Sequence, residues 1–117
     1  MKPHVLIVED DFLQAANLED VVQRDLAAEP VGVSSVFEAL NIIPDNIKFA
    51  FLDIEVRDGK SYPVARKLIE NSIPFIIVSG NQQTSLPDDL KDVPFLSKPI
   101  ATGRLVRLAK ALSTAFH

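Results

Sequence analysis

Phe49-Ala50-Phe51-Leu52-Asp53 is an uninterrupted apolar run that ends in a carboxylate. A run of this kind is typical of a strand buried on both faces of a parallel sheet, because neither face then needs polar residues. The chain holds three comparable runs, at Val5–Val8, Phe75–Val78 and Phe95–Ser97. Polar residues follow each run, so the sequence predicts several buried strands whose ends carry chemically useful side chains.

Segments with helical periodicity alternate with these strands. Apolar residues recur at the spacing of one helical face in residues 12–28, 36–43, 62–71 and 105–116. The positions expected for the N-caps of the first three helices hold Asp10 or Asp11, Ser35 and Ser61. Residues 30–34 predict a further short strand, whereas the polar stretch at 81–92 predicts only a short or irregular helix.

This alternation predicts an α/β fold with a doubly wound, five-stranded parallel sheet and helices on both faces. Right-handed crossovers leave few arrangements, and the strand order 2-1-3-4-5 places the first and third strands side by side. Ligands of such sheets bind at the carboxyl ends of the strands, where the strand order reverses. We therefore expect Glu9, Asp10 and Asp53 to lie close together.

Composition limits the class of protein. The 117 residues, 47% hydrophobic and 24% charged, fit one globular domain with a buried core. The net charge of −4 argues against nucleic-acid binding, and the absence of cysteine excludes disulfides and thiolate chemistry. No apolar stretch approaches the roughly 20 residues that cross a bilayer, and the first strand leaves no room for a signal peptide. We therefore expect a cytoplasmic protein without a membrane partner.

The acidic residues at the strand ends indicate a particular chemistry. Carboxylates that converge repel one another, so such a cluster is costly unless a cation neutralises it. Oxygen ligands without cysteine favour Mg²⁺, which takes one or two protein carboxylates and keeps several waters. Asp53 is then suited to attack phosphorus as a carboxylate nucleophile. The Ser79 hydroxyl and the Lys98 ammonium are suitable partners for phosphoryl oxygens.

These residues, taken in order, resemble the receiver domains of the two-component response-regulator family. The resemblance covers essentially the whole chain, and its specificity comes from the set of motifs rather than from any one of them. The matching residues are Glu9-Asp10, Asp53 with Gly59 downstream, Ser79-Gly80 and Lys98-Pro99. The resemblance implies a flavodoxin-like (β/α)5 receiver over residues 1–117, with no output domain.

The resemblance also implies a role for each acidic residue. Asp53 would be the phosphoacceptor that forms an aspartyl phosphate. Mg²⁺ would be held by Glu9, Asp10 and Asp53 together with the backbone carbonyl of Glu55. The Glu55 carboxylate lies two positions after the acceptor, where it could either orient an attacking water or repel a phosphodonor.

The remaining matched residues are expected to hold and report the phosphoryl group. Ser79 and Lys98 would contact its oxygens, and the Lys98–Pro99 peptide bond would be cis. Phe95 lies where the family places its switch aromatic. On phosphorylation Ser79 would swing inward and Phe95 would follow it, which would change the face around the fourth helix, predicted at 81–92, and the last strand.

The function implied by the resemblance is a phosphoacceptor switch in a phosphorelay, rather than a conventional enzyme. A histidine kinase or histidine phosphotransfer protein would donate the phosphoryl group, and a downstream protein partner would read the result. The chain would be a monomer or a weak dimer, and it would not bind nucleic acid directly.

Three other interpretations stay open. A receiver-like adaptor would bind partners without phosphorylation, although the intact acidic pair, acceptor and lysine argue against it. The chain could instead be the receiver part of a larger hybrid kinase or regulator. An aspartyl-phosphate hydrolase is suggested faintly by Asp53-Ile54-Glu55, but such enzymes usually need a longer chain and a cap.

Overall fold

The computed structural model describes residues 2–43, 46–80 and 83–116. Within these residues the strands are β1 His4–Val8, β2 Glu29–Val33, β3 Ile47–Leu52, β4 Glu55–Val56, β5 Gly59–Lys60, β6 Phe75–Ser79 and β7 Phe95–Ser97. Five of them form one parallel sheet in the order β2-β1-β3-β6-β7. This is the predicted order, with β6 and β7 as the fourth and fifth strands of the pattern.

The helices are α1 Phe12–Asp25, α2 Val36–Ile42, α3 Tyr62–Glu70 and α4 Thr102–Leu112. Asp11 caps α1 by accepting a hydrogen bond from the Gln14 backbone N–H at 3.0 Å. Ser35 caps α2 in the same way, through the Glu38 N–H at 3.1 Å. Ser61 is the N-cap residue of α3, as predicted, but its side chain makes no capping hydrogen bond.

The segment between β6 and β7 contains no α-helix among its described residues, so a fifth helix of the (β/α)5 pattern is missing there. Two 3₁₀ turns replace it, at Gln83–Ser85 and Asp88–Leu90. Pro87 adopts an extended conformation between them and interrupts helical hydrogen bonding. Leu86 and Leu90 are buried and anchor the segment. Residues 81 and 82, which begin the predicted irregular helix, lie outside the described residues.

The last helix also ends earlier than predicted. It was expected to reach about Phe116, but α4 stops at Leu112 because Ser113 is extended, with φ −141° and ψ 133°. A 3₁₀ turn at Thr114–Phe116 follows and turns the Phe116 side chain into the core. The Phe116 ring contacts the ring of Phe49 edge-on, with 5.3 Å between centroids.

The sheet divides the core into two layers, because successive residues of a strand face opposite sides. One layer contains Val5, Ile7, Phe49 and Phe51 with the apolar faces of α1 and α4. The other layer contains Leu6, Val8, Ala50 and Leu52 with α2 and α3. Both faces of β1 and β3 are therefore covered, which explains their uninterrupted apolar sequences. No described helix is long and apolar enough to cross a membrane.

Phe49 offers a test of this packing. Its ring is fully buried and contacts the rings of Phe51 and Phe116, so Phe49→Ala should lower the free energy of unfolding by about 3–5 kcal/mol. Phe12 is 83% exposed, and Phe12→Ala should change it by less than about 0.5 kcal/mol. Urea unfolding of both variants checks the prediction, and equal losses would contradict the assigned packing.

Candidate functional site

The pairing of β1 with β3 places the two key acidic segments side by side. Val8 is opposite Leu52 at the carboxyl ends of these strands. The Asp53 backbone N–H continues the pairing by donating to the Val8 carbonyl at 2.9 Å. Glu9 and Asp53 therefore leave the sheet at the same place. In the sequence, Glu9 and Asp53 are 44 positions apart.

Three carboxylates meet at this edge of the sheet. Glu9, Asp10 and Asp53 each offer an oxygen, and these oxygens all lie within 4.8 Å of one another. Their exposure differs in a useful way: Glu9 is buried, Asp53 is partly exposed and Asp10 is exposed. The cluster thus extends from the protein interior to solvent. Asp53, the expected phosphoacceptor, is less buried than Glu9 and more buried than Asp10.

Lys98 reaches the same cluster from the far end of the chain. Its Nζ donates to Glu9 Oε1 at 3.0 Å and to Asp53 Oδ2 at 3.2 Å. The Lys98 backbone N–H donates to the Ser79 carbonyl at 2.9 Å, which fixes where the side chain starts. The Lys98–Pro99 peptide bond is cis, as the resemblance implied.

Burial and charge shift the ionisation of this pair. Burial raises the pKa of Glu9, and the hydrogen bond from Lys98 offsets only part of that rise. Burial also disfavours the Lys98 ammonium, but the adjacent Glu9 and Asp53 carboxylates outweigh it, so the pKa of Lys98 is raised. The raised pKa favours the charged form of Lys98 beside the two carboxylates.

Backbone contacts orient Asp53. Its Oδ1 accepts a hydrogen bond from the Ile54 N–H at 2.8 Å. Its carbonyl accepts a hydrogen bond from the Ser61 hydroxyl, and the Ser61 N–H donates to the Ile54 carbonyl at 2.7 Å. Ser61 thus connects the start of α3 to Asp53. The sequence indicated only a helix cap at Ser61, because a serine before a helix gives no sign of a bond to a residue eight positions earlier.

Ser79 and Phe95 face the same side of the sheet. Ile77 pairs with Phe95, and Ser79, two residues further along β6, pairs with Ser97. Because side chains two apart on a strand share a face, Ser79 and Phe95 are diagonal neighbours. Ser79 is buried, while Phe95 is half-buried and packs against the α2–α3 layer of the core.

The Glu55 carboxylate does not join the acidic cluster. Among the described residues, the carboxylates grouped at this site belong to Glu9, Asp10 and Asp53. Glu55 is instead 63% exposed and forms an ion pair with Lys60 across the hairpin of β4 and β5. This hairpin was not predicted from the sequence.

The donor set fits a divalent cation. Three carboxyl groups and one ammonium group meet here, so the fully charged set would carry an excess of two negative charges, which one Mg²⁺ would cancel. All the side-chain donors are hard oxygen atoms, which Mg²⁺ prefers. Glu9, Asp10 and Asp53 are therefore the side chains of this chain that would hold the ion, directly or through water.

The fold and the site together define a flavodoxin-like α/β protein with carboxylates, a lysine and a hydroxyl at the carboxyl edge of its sheet. A scan of protein-family models and a search of curated proteins find no match. Solved structures do match. SdrG from Sphingomonas melonis Fr1 is 36% identical, with 94% of this chain and 95% of that chain covered and a TM-score of 0.80.

Two further solved structures are similar to this chain. The BeF3-activated conformation of SdrG from Pseudomonas melonis Fr1 is 37% identical, with 92% of this chain and 93% of that chain covered and a TM-score of 0.74. A CheY-like response regulator receiver domain from Methylobacillus flagellatus is 22% identical and shares the fold, with 95% and 98% covered and a TM-score of 0.79. The chain belongs to the response-regulator receiver family of two-component systems.

Receiver-domain relatives are signalling switches rather than conventional enzymes, and this similarity supports a phosphoacceptor signalling role. The acidic cluster matches the part of receiver domains that typically binds Mg²⁺. Receiver domains in general interact with kinases or phosphotransfer proteins.

Mg²⁺ should stabilise the folded protein through Asp10. A ligand that binds only the folded state raises the melting temperature, so saturating Mg²⁺ should raise it for the wild type. Asp10→Asn should remove most of this rise, while its melting temperature in EDTA should equal or exceed the wild-type value because one repulsive charge is gone.

Calorimetry of both proteins, with and without Mg²⁺, checks this expectation. Asp92→Asn is the control, because Asp92 is an exposed aspartate outside the cluster and should leave the Mg²⁺ effect unchanged. An undiminished Mg²⁺ effect in Asp10→Asn would show that the ion is held elsewhere.

Proposed function

We propose that residues 1–117 form one receiver domain in which Asp53 accepts a phosphoryl group from a phosphohistidine of a histidine kinase or phosphotransfer protein. The observation that carries the proposal is the contact of Lys98 Nζ with both Glu9 and Asp53 beside a partly exposed acceptor carboxylate. This arrangement supplies a nucleophile, a fixed positive charge and an acidic pair at one place. The cytoplasm, predicted from composition, is where we expect the protein to work.

The proposed transfer conserves every atom. A carboxylate oxygen of Asp53 forms a bond to phosphorus, the bond between phosphorus and the histidine nitrogen breaks, and the imidazole leaves with that electron pair. A bound Mg²⁺ would supply charge neutralisation for the phosphoryl oxygens. Lys98 offsets part of the negative charge, and the Ile54 N–H holds Asp53 in orientation. The chain thus contributes mainly positioning and electrostatics.

Ser79 and Phe95 are proposed to report the phosphorylated state. A phosphoryl group adds a charge of about −1.5 to −2 and acceptor oxygens, and the hydroxyl of Ser79, which is buried at the end of β6, would turn toward them. Phe95 is its diagonal neighbour on the same face and is only half-buried, so it has space to follow. The relative SdrG has a BeF3-activated conformation, and BeF3 is a tetrahedral analogue of a phosphoryl group. A downstream protein partner would read the changed surface around β7.

An exposed apolar pair beside the site suits the docking of a protein donor. Phe12 and Leu13 are 83% and 72% exposed at the start of α1, directly after the acidic residues. A groove of about 600 Å³ lies between α1 and α4, with Gln14 of α1 and Lys98 in its lining. A helix of the donor that covers these side chains would bring its histidine next to Asp53.

The acceptor itself is tested by mass. Incubation with Mg²⁺ and acetyl phosphate or phosphoramidate should add about 80 Da, one phosphoryl group, to the wild type and nothing to Asp53→Asn. Intact mass spectrometry measures the gain, and EDTA should abolish it. No gain from these donors or from a histidine-phosphorylated protein would contradict the proposal and favour an adaptor that works without phosphorylation.

The docking surface is tested by comparing donors. Phe12→Ser with Leu13→Ser should slow transfer from a histidine-phosphorylated protein about tenfold or more, since two large apolar contacts are lost. Labelling by acetyl phosphate should keep its wild-type rate, because a small donor needs no docking. Phe37→Ser is the control, since Phe37 is 71% exposed on α2, on the other side of the sheet. Equal slowing with both donors would place the defect in the site instead.

A further inference from the structure

The hairpin of β4 and β5 follows the acceptor strand directly and sets a lysine against Glu55. Across this hairpin Glu55 pairs with Lys60, and Val56 pairs with Gly59. Lys60 Nζ donates a hydrogen bond to Glu55 Oε1, so two opposite charges face each other across the ladder. Gly59 has φ +129°, a conformation that favours glycine, and this closes the short turn.

Contacts outside the hairpin hold it in place. The carboxylate of Asp58, in the turn, accepts hydrogen bonds from the backbone N–H groups of Val36 at 2.7 Å and Phe37 at 3.1 Å. The Val56 side chain is buried in the core. The hairpin is therefore fixed on both sides of its turn, and the backbone itself determines that Lys60 is the partner of Glu55.

The position of Glu55 makes this pairing relevant to the site. Glu55 lies two residues after Asp53, yet its carboxylate is 63% exposed and turned toward Lys60. Within the described part of the chain, the acidic cluster around the acceptor is formed without it. The Glu55 carboxylate is thus a negative charge close to Asp53 in sequence, and the Lys60 ammonium pairs with it and offsets it.

We propose that Lys60 is a positioning residue that holds the Glu55 carboxylate away from the phosphoryl group on Asp53 and so prolongs the life of the acyl phosphate. This inference rests on the proposed function of Asp53 as phosphoacceptor. It adds a residue outside the matched motifs, and it assigns the hairpin a role in timing the signal.

Loss of the phosphoryl group is a hydrolysis. The oxygen of a water forms a bond to phosphorus, the bond from phosphorus to the Asp53 oxygen breaks, and its electron pair returns to the carboxylate. The water gives up a proton to a base, and the products are aspartate and inorganic phosphate. A free Glu55 carboxylate is such a base near the acceptor, and its charge also repels the phosphoryl oxygens. Pairing with Lys60 suppresses both effects.

The expected effect is on lifetime and not on folding. An ion pair between two exposed side chains contributes little to stability. Removal of Lys60 should therefore leave the melting temperature near the wild-type value, while it frees a charge close to a reacting group. A purely structural role of the pair would produce the opposite pattern.

The test follows the phosphorylated protein after the donor has been removed. The wild type, Lys60→Gln and Lys60→Arg are labelled with acetyl phosphate and Mg²⁺, and intact mass spectrometry records the decay. Lys60→Gln should lose the phosphoryl group about three- to fivefold faster, the scale of one partly screened charge. Lys60→Arg should keep the wild-type lifetime, since the positive partner is restored.

A double-mutant comparison identifies the partner. In a Glu55→Gln background, Lys60→Gln should cause no further change, because no carboxylate is left to hold. Lys91→Gln is the matched control. The side chains of Lys91 and Lys60 are 51% and 50% exposed, and each forms a surface ion pair with an acidic residue. It should decay like the wild type.

Two results would overturn the role of Lys60. One is an unchanged lifetime in Lys60→Gln, and the other is equal acceleration in the Glu55 and Glu55→Gln backgrounds. Both are distinct from failure of the proposed function, which would appear earlier as the absence of any phosphoryl gain on the wild type from small or protein donors.

Discussion

The ion pair that joins Lys98 to Glu9 and Asp53 is the interaction on which the site depends. Glu9 is almost fully buried, and a buried carboxylate is costly unless a positive group faces it. Lys98 supplies that group from a loop 89 residues away in sequence. The same ammonium also contacts Asp53, so one side chain offsets charge on two members of the acidic cluster.

The parallel sheet determines where the residues of this site lie and how deeply each is buried. Parallel pairing brings β1, β3 and β7 to one edge with their carboxyl ends together, so residues from distant parts of the chain share one surface. Burial then grades the carboxylates from Glu9 inside to Asp10 outside. The exposed apolar start of α1 follows the acidic residues directly, so the proposed docking surface for a protein donor would lie beside the acidic cluster.

The loop after β3 shows how ordinary residues can serve the acceptor. Ser61 precedes a helix, but its hydroxyl donates a hydrogen bond to the Asp53 carbonyl. Asp58 lies in the hairpin turn, but its carboxylate accepts hydrogen bonds from the first two N–H groups of α2. Because these bonds draw a carboxylate toward backbone donors, the pKa of Asp58 is held below its usual range by the Val36 N–H first of all. Together these bonds connect the residues that follow Asp53 to the starts of α2 and α3.

The sequence by itself determined the strand order, the two core layers and the acidic, hydroxyl and lysine residues at the strand ends, because buried parallel strands leave long apolar runs and their polar ends stand out. Only the tertiary structure decided the end of α4 at Leu112, the 3₁₀ turns in place of a fifth helix, the hairpin at Glu55–Lys60 and the bond from Ser61 to Asp53. These features depend on contacts between residues whose local patterns are weak or ambiguous. At such positions, the presence of a serine or a lysine does not predict which residue it will contact in the folded protein.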